Sequence, residues 1–322
     1  MDLSDLIFSI QTSDEFEAIA LKVFDHQYQH NPIYRAYVEG LNKSNPQTLE
    51  EIPFLPIEFF KTHQVYCGQQ DPELLFKSSG TTGMIRSQHY VANAQLYRNS
   101  FFSAYRQLIG NLEEQVILAL LPNYIEQGES SLVYMVDHLI RATQDSSSGF
   151  LLNEADLIEE RYLDALKRKK KVILFGVSYA LLDLAEKGIN LSEALIIETG
   201  GMKGRRKELT KAELHQVICQ GTGVSFVSSE YGMTELLSQA YSDRNGLFTC
   251  PEWMKVLIRD INDPFCFISE SKTGGINVID LANLESCSFI ATQDLGRKTG
   301  KQFEVLGRFD QSDLRGCNLM VE

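Results

Sequence analysis

Two spacing regimes divide the chain. Across the first sixty residues the apolar positions follow a helical period: Thr12-x-x-Glu15 has the form of a capping box, and Phe16, Ile19, Ala20, Val23 and Phe24 then fall on one helical face. Asn31-Pro32 breaks that helix and starts another. From about residue 90, helical stretches alternate with short apolar runs at 116–121, 172–175, 194–197 and 224–228. Runs this short, rich in Val, Ile and Leu, read as strands of a parallel sheet covered on both faces by helices. A helix over 210–219 opens on a second capping box, Thr210-x-x-Glu213, with Gly221 expected just past its end. After Tyr231 the helical signal fades, and 254–258, 276–281, 289–292 and 303–306 read as strands. The fold class is therefore α/β, predicted as one domain over 1–322. It comprises a helical N-terminal region (1–90), an α/β core (91–235) and a β-rich part (236–322).

Composition removes several classes of function. The chain has 322 residues, 43% hydrophobic and 23% charged, which suits a folded protein with a deep core. With 43 acidic against 30 basic side chains the formal charge is -13, so a polyanion meets net repulsion and nucleic acid is not an expected partner. The dense basic run at 167–171 precedes an apolar run, as at a helix end leading into a strand. No apolar stretch reaches the ~20 residues of a membrane span. The start Met1-Asp2-Leu3-Ser4-Asp5 is acidic where a signal peptide is basic, so a cytoplasmic location is expected. Six cysteines are scattered with no C-x-x-C pair, a spacing that argues against zinc and against a disulfide framework.

Four segments carry candidate chemistry. The first is Lys77-Ser78-Ser79-Gly80-Thr81-Thr82-Gly83-Met84-Ile85-Arg86, where glycines permit tight turns, hydroxyls and a cation supply donors, and no carboxylate repels an anion. It has the composition of a phosphate loop without the spacing of G-x-x-x-x-G-K-[ST], and a plain Ser/Thr/Gly turn has the same composition. The second, Ser228-Ser229-Glu230-Tyr231-Gly232-Met233-Thr234-Glu235, follows a predicted strand end, where ligands collect in doubly wound sheets; a helix start is the plainer alternative. The third is Thr292-Gln293-Asp294-Leu295-Gly296, an Asp expected after a strand. The fourth is Gly307-Arg308-Phe309-Asp310 followed by Arg315-Gly316-Cys317.

In this order the four segments resemble the adenylate-forming superfamily of acyl and aryl ligases. The resemblance makes Ser78, Ser79, Gly80, Thr81, Thr82 and Gly83 the phosphate loop, and Tyr231, Gly232, Thr234 and Glu235 the tyrosine-glycine-x-threonine-glutamate motif. It makes Asp294 the ribose aspartate and Arg308 the arginine motif at the end of the large domain. Gly200-Gly201 falls where that family uses a glycine pair near adenine. Within the superfamily the chain is most similar to LuxE-type acyl-protein synthetases of fatty acid reductase complexes. The similarity lies in Ile52-Pro53-Phe54-Leu55-Pro56-Ile57-Glu58-Phe59-Phe60-Lys61, Leu120-Leu121-Pro122-Asn123-Tyr124, Glu198-Thr199-Gly200-Gly201-Met202-Lys203-Gly204 and Leu314-Arg315-Gly316-Cys317. Those synthetases carry the acyl group on a cysteine near the C-terminus, which Cys317 matches, and Arg315 would favour its thiolate.

The resemblance implies ATP and Mg2+, a carboxylic acid substrate, most plausibly a fatty acid, and an acyl reductase or acyl carrier as partner. Arg86 would offset developing charge and Glu235 would bind the metal. Arg86 stands where many relatives have Lys, which replaces a point donor by a planar fork. Only 12 residues follow Asp310, so the large domain of these ligases is expected without their mobile C-terminal domain, and self-acylation is expected over transfer to CoA. Two alternatives stay open on the residues alone: a CoA ligase-like enzyme or acyltransferase to CoA or acyl carrier protein, and a non-catalytic subunit that binds nucleotide or acyl ligand. His138 and His215 read as packing residues, and Glu126 and Glu129 as solvated loop charges.

Overall fold

Both capping boxes form as their spacing predicts, with Thr12 and Glu15 closing the start of one helix and Thr210 and Glu213 that of another. The computed structural model describes residues 2–68, 71–79, 85–122, 129–200 and 209–309. In chain order its first elements are α1 (Leu3–Ile7), α2 (Ser13–His30), α3 (Pro32–Gly40), β1 (Leu55–Pro56), α4 (Phe59–Thr62), β2 (Leu74–Lys77), β3 (Gln88–Val91) and α5 (Ala94–Leu108). The next are β4 (Gln115–Leu120), α6 (Ser131–Thr143), β5 (Gly149–Phe150), α7 (Ile158–Lys167), β6 (Lys171–Gly176), α8 (Ser178–Lys187), β7 (Leu195–Glu198) and α9 (Lys211–Thr222). Last come β8 (Val227–Tyr231), β9 (Ala240–Ser242), β10 (Phe248–Thr249), β11 (Met254–Arg259), β12 (Gly274–Asp280), β13 (Phe289–Thr299) and β14 (Gln302–Arg308). They group into two compact units: the described residues of 1–74, 87–93 and 252–322, and those of 75–86 and 94–251. Among the described residues no helix is long and apolar enough to cross a membrane.

The first unit pairs the N-terminal helices with the C-terminal strands. β11, β12, β13 and β14 form an antiparallel meander, and β1 lies parallel to β13 with Leu55 opposite Ile290. The predicted apolar face of α2 is buried: Phe24 meets Tyr34 and Phe289 edge to face at 6.0 and 6.4 Å. Asn31 ends α2 and caps α3, its side-chain oxygen accepting from Ile33 and Tyr34 N–H, while Pro32 takes the first helical position. Buried Gln27 ties the two ends of the chain together. Its Nε2 donates to Asn283 O, Leu284 O and Ser288 Oγ at 2.9 to 3.0 Å, and its Oε1 accepts from Ser288 N at 3.0 Å.

The second unit is the doubly covered sheet expected from the apolar runs. β5, β4, β6, β7 and β8 are parallel neighbours in that order, and β9 and β10 extend the sheet antiparallel. Every residue of β4 is buried, as the alternation-free run 116–121 requires of a strand packed on both faces. Helices α6, α7 and α9 pack on β4, β6 and β8.

Three boundaries differ from expectation. Helix α9 continues through Gly221 and ends at Gly223, whose φ of 76° makes the left-handed cap. Gly221 serves packing instead, since a Cβ there would sit 2.3 Å from the Ala185 carbonyl oxygen of α8. Strand β8 starts at Val227 and runs three residues further than its apolar run, because Ser228 Oγ donates to Ser242 O and Ser229 N to Ser242 Oγ across to β9. Strand β13 extends to Thr299, well past the predicted 292.

Gln27→Leu removes the donors and acceptor that serve two buried carbonyls, a buried hydroxyl and a buried N–H, so it is expected to destabilise the protein by about 3 kcal/mol. Urea unfolding of the two proteins side by side measures this, and a loss within experimental error would show that the tie is dispensable.

Candidate functional site

In the second unit the segments that follow β4, β6, β7 and β8 leave the carboxyl edge of the parallel sheet. The tyrosine-containing motif is one of them. Tyr231 is the last residue of β8, buried, with its ring 5.8 Å from that of Phe248. Residues 232–239 form the turn into β9, where a helix start had been the plainer alternative. At Gly232 a Cβ would lie 2.1 Å from Glu230 Oε1, so a larger residue there would require the Glu230 carboxyl group to shift. Thr234 is half-buried and Glu235 buried in this turn.

The edge beside it is organised by Glu198, the last residue of β7. Its carboxylate accepts from Ser178 Oγ at 2.5 Å, Gly200 N at 2.7 Å and Ser229 Oγ at 3.2 Å, with His215 Nε2 4.0 Å away. Burial alone would raise this carboxyl, but His215, Ser178, the Lys211 charge and the Gly200 N–H outweigh it and hold it at about 2. Gly200 turns with φ of 76°, and among the described residues a Cβ on it would meet nothing within 4 Å, so the glycine is required by conformation. Gly201 lies outside the described residues. Glu230, only part-shielded by surface area but set in dense protein, is pushed up to about 8 by burial and by the Glu198 charge, against the opposing effect of Lys211.

The phosphate-loop candidate is described at its two ends. Ser78 and Ser79 follow β2 and Arg86 closes the segment, while Gly80, Thr81, Thr82 and Gly83 lie outside the described residues. Arg86 does not project freely. Its Nη1 donates to Glu129 Oε2 at 2.8 Å, its Nη2 to Lys77 O at 3.3 Å and its Nε to Ser78 O. The other Glu129 oxygen takes Lys77 Nζ at 2.5 Å, and the Glu129 carbonyl accepts from Lys77 N at 2.8 Å. Lys77 and then Arg86 hold the Glu129 carboxyl below its ordinary range. The expectation of Glu129 as a solvated loop charge is thus overturned: it joins both cations next to the loop. Glu126 lies outside the described residues.

In the first unit, pairing of β13 with β14 sets Asp294 opposite Arg308. Arg308 Nε donates to Asp294 Oδ1 at 3.1 Å, and Phe309 N to Gln293 O at 2.8 Å, so the third and fourth motifs meet. Asp294 sits inside β13 and not after a strand. Gly296 marks a bulge where a Cβ would lie 2.4 Å from Glu304 O. Residues 310–322, with Asp310, Arg315 and Cys317, lie outside the described residues.

A family model described as acyl-protein synthetase, LuxE, matches residues 4–322. The chain belongs to the LuxE acyl-protein synthetase family. No curated protein matches it. Among solved structures, ATP-bound MatB from Rhodopseudomonas palustris is similar at 20% identity and a TM-score of 0.52, over 74% of this chain and 49% of that one. An open conformation of 2-hydroxyisobutyryl-CoA ligase in complex with 2-HIB-AMP and CoA is similar at 14% identity and a TM-score of 0.68, over 94% of this chain and 72% of that one. These likenesses show a shared α/β fold with adenylate-forming ligases; the chain spans about half the length of the MatB structures.

In this LuxE-family chain several residues at the candidate site carry no motif signal. Glu198 was visible only as part of a similar segment, and Ser178 and Lys211 join it from the first residues of α8 and α9. His215, read as packing, touches Ser229 Oγ at 3.3 Å, whereas His138 stays a packing residue bonded to Tyr134 O.

The raised Glu230 carboxyl has a testable sign. In the unfolded chain it ionises above its ordinary value near 4.5, whereas the fold keeps the proton until about 8. Its contribution to stability is therefore present below 4.5 and lost progressively as pH rises through about 8. Glu230→Gln should flatten that decline, so that the variant gains on the native protein in thermal melts between roughly pH 5 and 9. Parallel pH profiles would show that Glu230 is ionised in the fold.

Proposed function

We propose that this LuxE-family protein activates a fatty acid with ATP, carries the acyl group as a thioester on Cys317 and passes it to an acyl reductase. The observation that carries this reading is the family match over residues 4–322, which takes in all four motifs and Cys317. In the first step a substrate carboxylate oxygen attacks the α-phosphorus of ATP. The bond to the bridging oxygen breaks, and pyrophosphate leaves with the electron pair. In the second, the Cys317 thiolate attacks the acyl carbon, the bond to the adenylate oxygen breaks and AMP departs; Arg315 favours loss of the thiol proton beforehand.

Ser78, Ser79, Gly80, Thr81, Thr82 and Gly83 would bind the β- and γ-phosphates through N–H and hydroxyl donors. The left-handed turn at Gly200, together with Gly201, suits the flat face of a base, and Tyr231 would border it. Asp294 would accept from ribose hydroxyls, with Arg308 fixing its orientation. Glu235 offers the hard carboxylate oxygen that Mg2+ prefers, beside the Thr234 hydroxyl, and the ion would supply charge neutralisation on the phosphates. Arg86 must leave or share Glu129 to meet a polyphosphate. Its guanidinium can share because it carries five N–H donors in a rigid fork, of which three are used on Ser78 O, Lys77 O and Glu129. We place the protein in the cytoplasm, on its scattered thiols.

ATP/pyrophosphate exchange over a panel of fatty and aromatic acids, with mass spectrometry of the protein, tests the reading. Exchange with a fatty acid and an acyl adduct on the protein are expected. Cys317→Ser should lose the adduct and keep exchange, and Arg86→Ala should lower exchange by about 100-fold. Absence of exchange with every acid, or release of acyl-CoA with no protein-bound adduct, would overturn it.

A further inference from the structure

Away from these motifs, the first unit assembles an imidazole, a thiol and a carboxylate from three separate stretches of chain. His26 lies on α2, Cys67 in the segment after α4 and Glu285 between β12 and β13. One ligand atom from each lies within 4.8 Å of the other two. The backbone enforces this proximity: Cys67 N donates to Glu285 O at 2.9 Å, and Gln27, the neighbour of His26, is bonded to Asn283 O and Leu284 O.

Two observations indicate that the cluster is built for a further occupant. His26 Nε2 is shut off from solvent and makes no hydrogen bond; Glu285 Oε1 is 3.4 Å from it, outside hydrogen-bonding geometry. A buried imidazole nitrogen without a partner is costly unless something else coordinates it. Cys67, moreover, lines a surface cavity of about 500 Å³ together with His30, His63 and Tyr66, so an ion has a route to the sulfur.

The spacing suits a particular ion. Zinc bonds of ~2.0–2.1 Å to nitrogen and oxygen and ~2.3 Å to sulfur place tetrahedral ligand atoms roughly 3.3–3.7 Å apart. The His26 to Glu285 separation of 3.4 Å already has this value. Closing the sulfur onto the pair, from at most 4.8 Å, needs a shift of no more than about 1.3 Å. Mg2+ and Ca2+ demand oxygen ligands, whereas one N, one S and one O donor is a borderline-soft set. We propose that His26, Cys67 and Glu285 form a binding site for a divalent transition metal, Zn2+ above all, with a fourth position facing the cavity. His30 is placed to contribute there. It lies one turn beyond His26 with the two rings 4.6 Å apart, and its Nδ1 is held by His26 O, which leaves Nε2 as the donor atom. The bound ion would cross-link α2, the Cys67 segment and the 285 loop. This is a zinc site that cysteine spacing in the sequence argues against, because its ligands come from distant stretches.

The ligand is the thiolate, so binding must expel the Cys67 proton and the affinity should rise with pH. The test uses the full chain freed of metal by chelation and titrated with Co2+ in the absence of nucleotide. One equivalent should give the intense ligand-field bands of four-coordinate cobalt and a thiolate-to-cobalt charge-transfer band, both abolished by Zn2+. Cys67→Ser should lose the charge-transfer band, and Cys317→Ser should keep it. Because Cys67 is buried and its variant can misfold, Glu285→Gln and His26→Gln provide a second readout. Each should weaken cobalt binding by more than the ~10–100-fold that loss of a supporting second-shell group causes. The proposal is overturned by absence of a charge-transfer band, by a band that survives Cys67→Ser, or by unchanged affinity in the His26 and Glu285 variants.

Discussion

A single buried carboxylate sets the arrangement of the carboxyl edge of the parallel sheet. Glu198 receives hydrogen bonds from the first residue of α8, from the turn at Gly200 and from β8, with His215 of α9 beside it. Removing a charge from water is expensive, and only several well-directed donors offset it. The donors here come from different elements, so the charge can be satisfied only when all of them are in place. That makes the geometry of the Gly200 turn a consequence of electrostatics as much as of packing. It also dictates the state of Glu230 near by. Two carboxylates in the same dense region cannot both ionise cheaply; Glu198 has the donors, and Glu230 keeps a proton, which separates the two to about 2 and about 8.

The same logic with the signs exchanged operates at the loop following β2. Glu129 holds two cations, and Arg86 uses three of its nitrogens on a carboxylate and two carbonyls. A lysine has a single point of charge and cannot hold both ends of the segment and a carboxylate in one plane. The arginine at this position is therefore explained by the loop itself, before any ligand is considered. A polyanion approaching the loop would find a cation already oriented, but one whose partner it must displace or accommodate.

Local signals were readable in the sequence and long-range ones were not. The capping boxes at Thr12 and Thr210, the break at Asn31-Pro32 and the apolar runs of β4, β6 and β7 depend on residues a few positions apart, and each formed as predicted. The exceptions have tertiary causes. Gly221 looked like a helix end because it is a glycine, yet it is a glycine because α8 passes within reach of a Cβ. Asp294, expected after a strand, lies inside β13 because pairing with β14 carries that strand on to Thr299. At the candidate site the order of motifs was legible, while the groups that hold them were not. Glu129 meets Lys77 and Arg86 across 52 and 43 residues, and Ser229 meets Glu198 across 31, distances that no periodicity spans.

The contacts at the motif residues divide by how hard they are to break. Glu198 and Gln27 are buried, carry several hydrogen bonds each and secure backbone, so their loss leaves polar groups stranded without water. Arg308 instead keeps 73% of its side chain exposed and makes one bond of 3.1 Å to Asp294; exposed pairs of this kind contribute only about 0–1 kcal/mol. Arg86 and Glu129 are intermediate, at 37% and 29% exposure. A ligand that exchanged partners with Arg308 or Arg86 would therefore give up little, whereas one that required Glu198 to move would undo the edge of the sheet. The side chains with exchangeable partners, Arg308 and Arg86, are ones the motifs name, whereas Glu129, Glu198 and Gln27, which hold backbone and cations in place, come from outside the four segments.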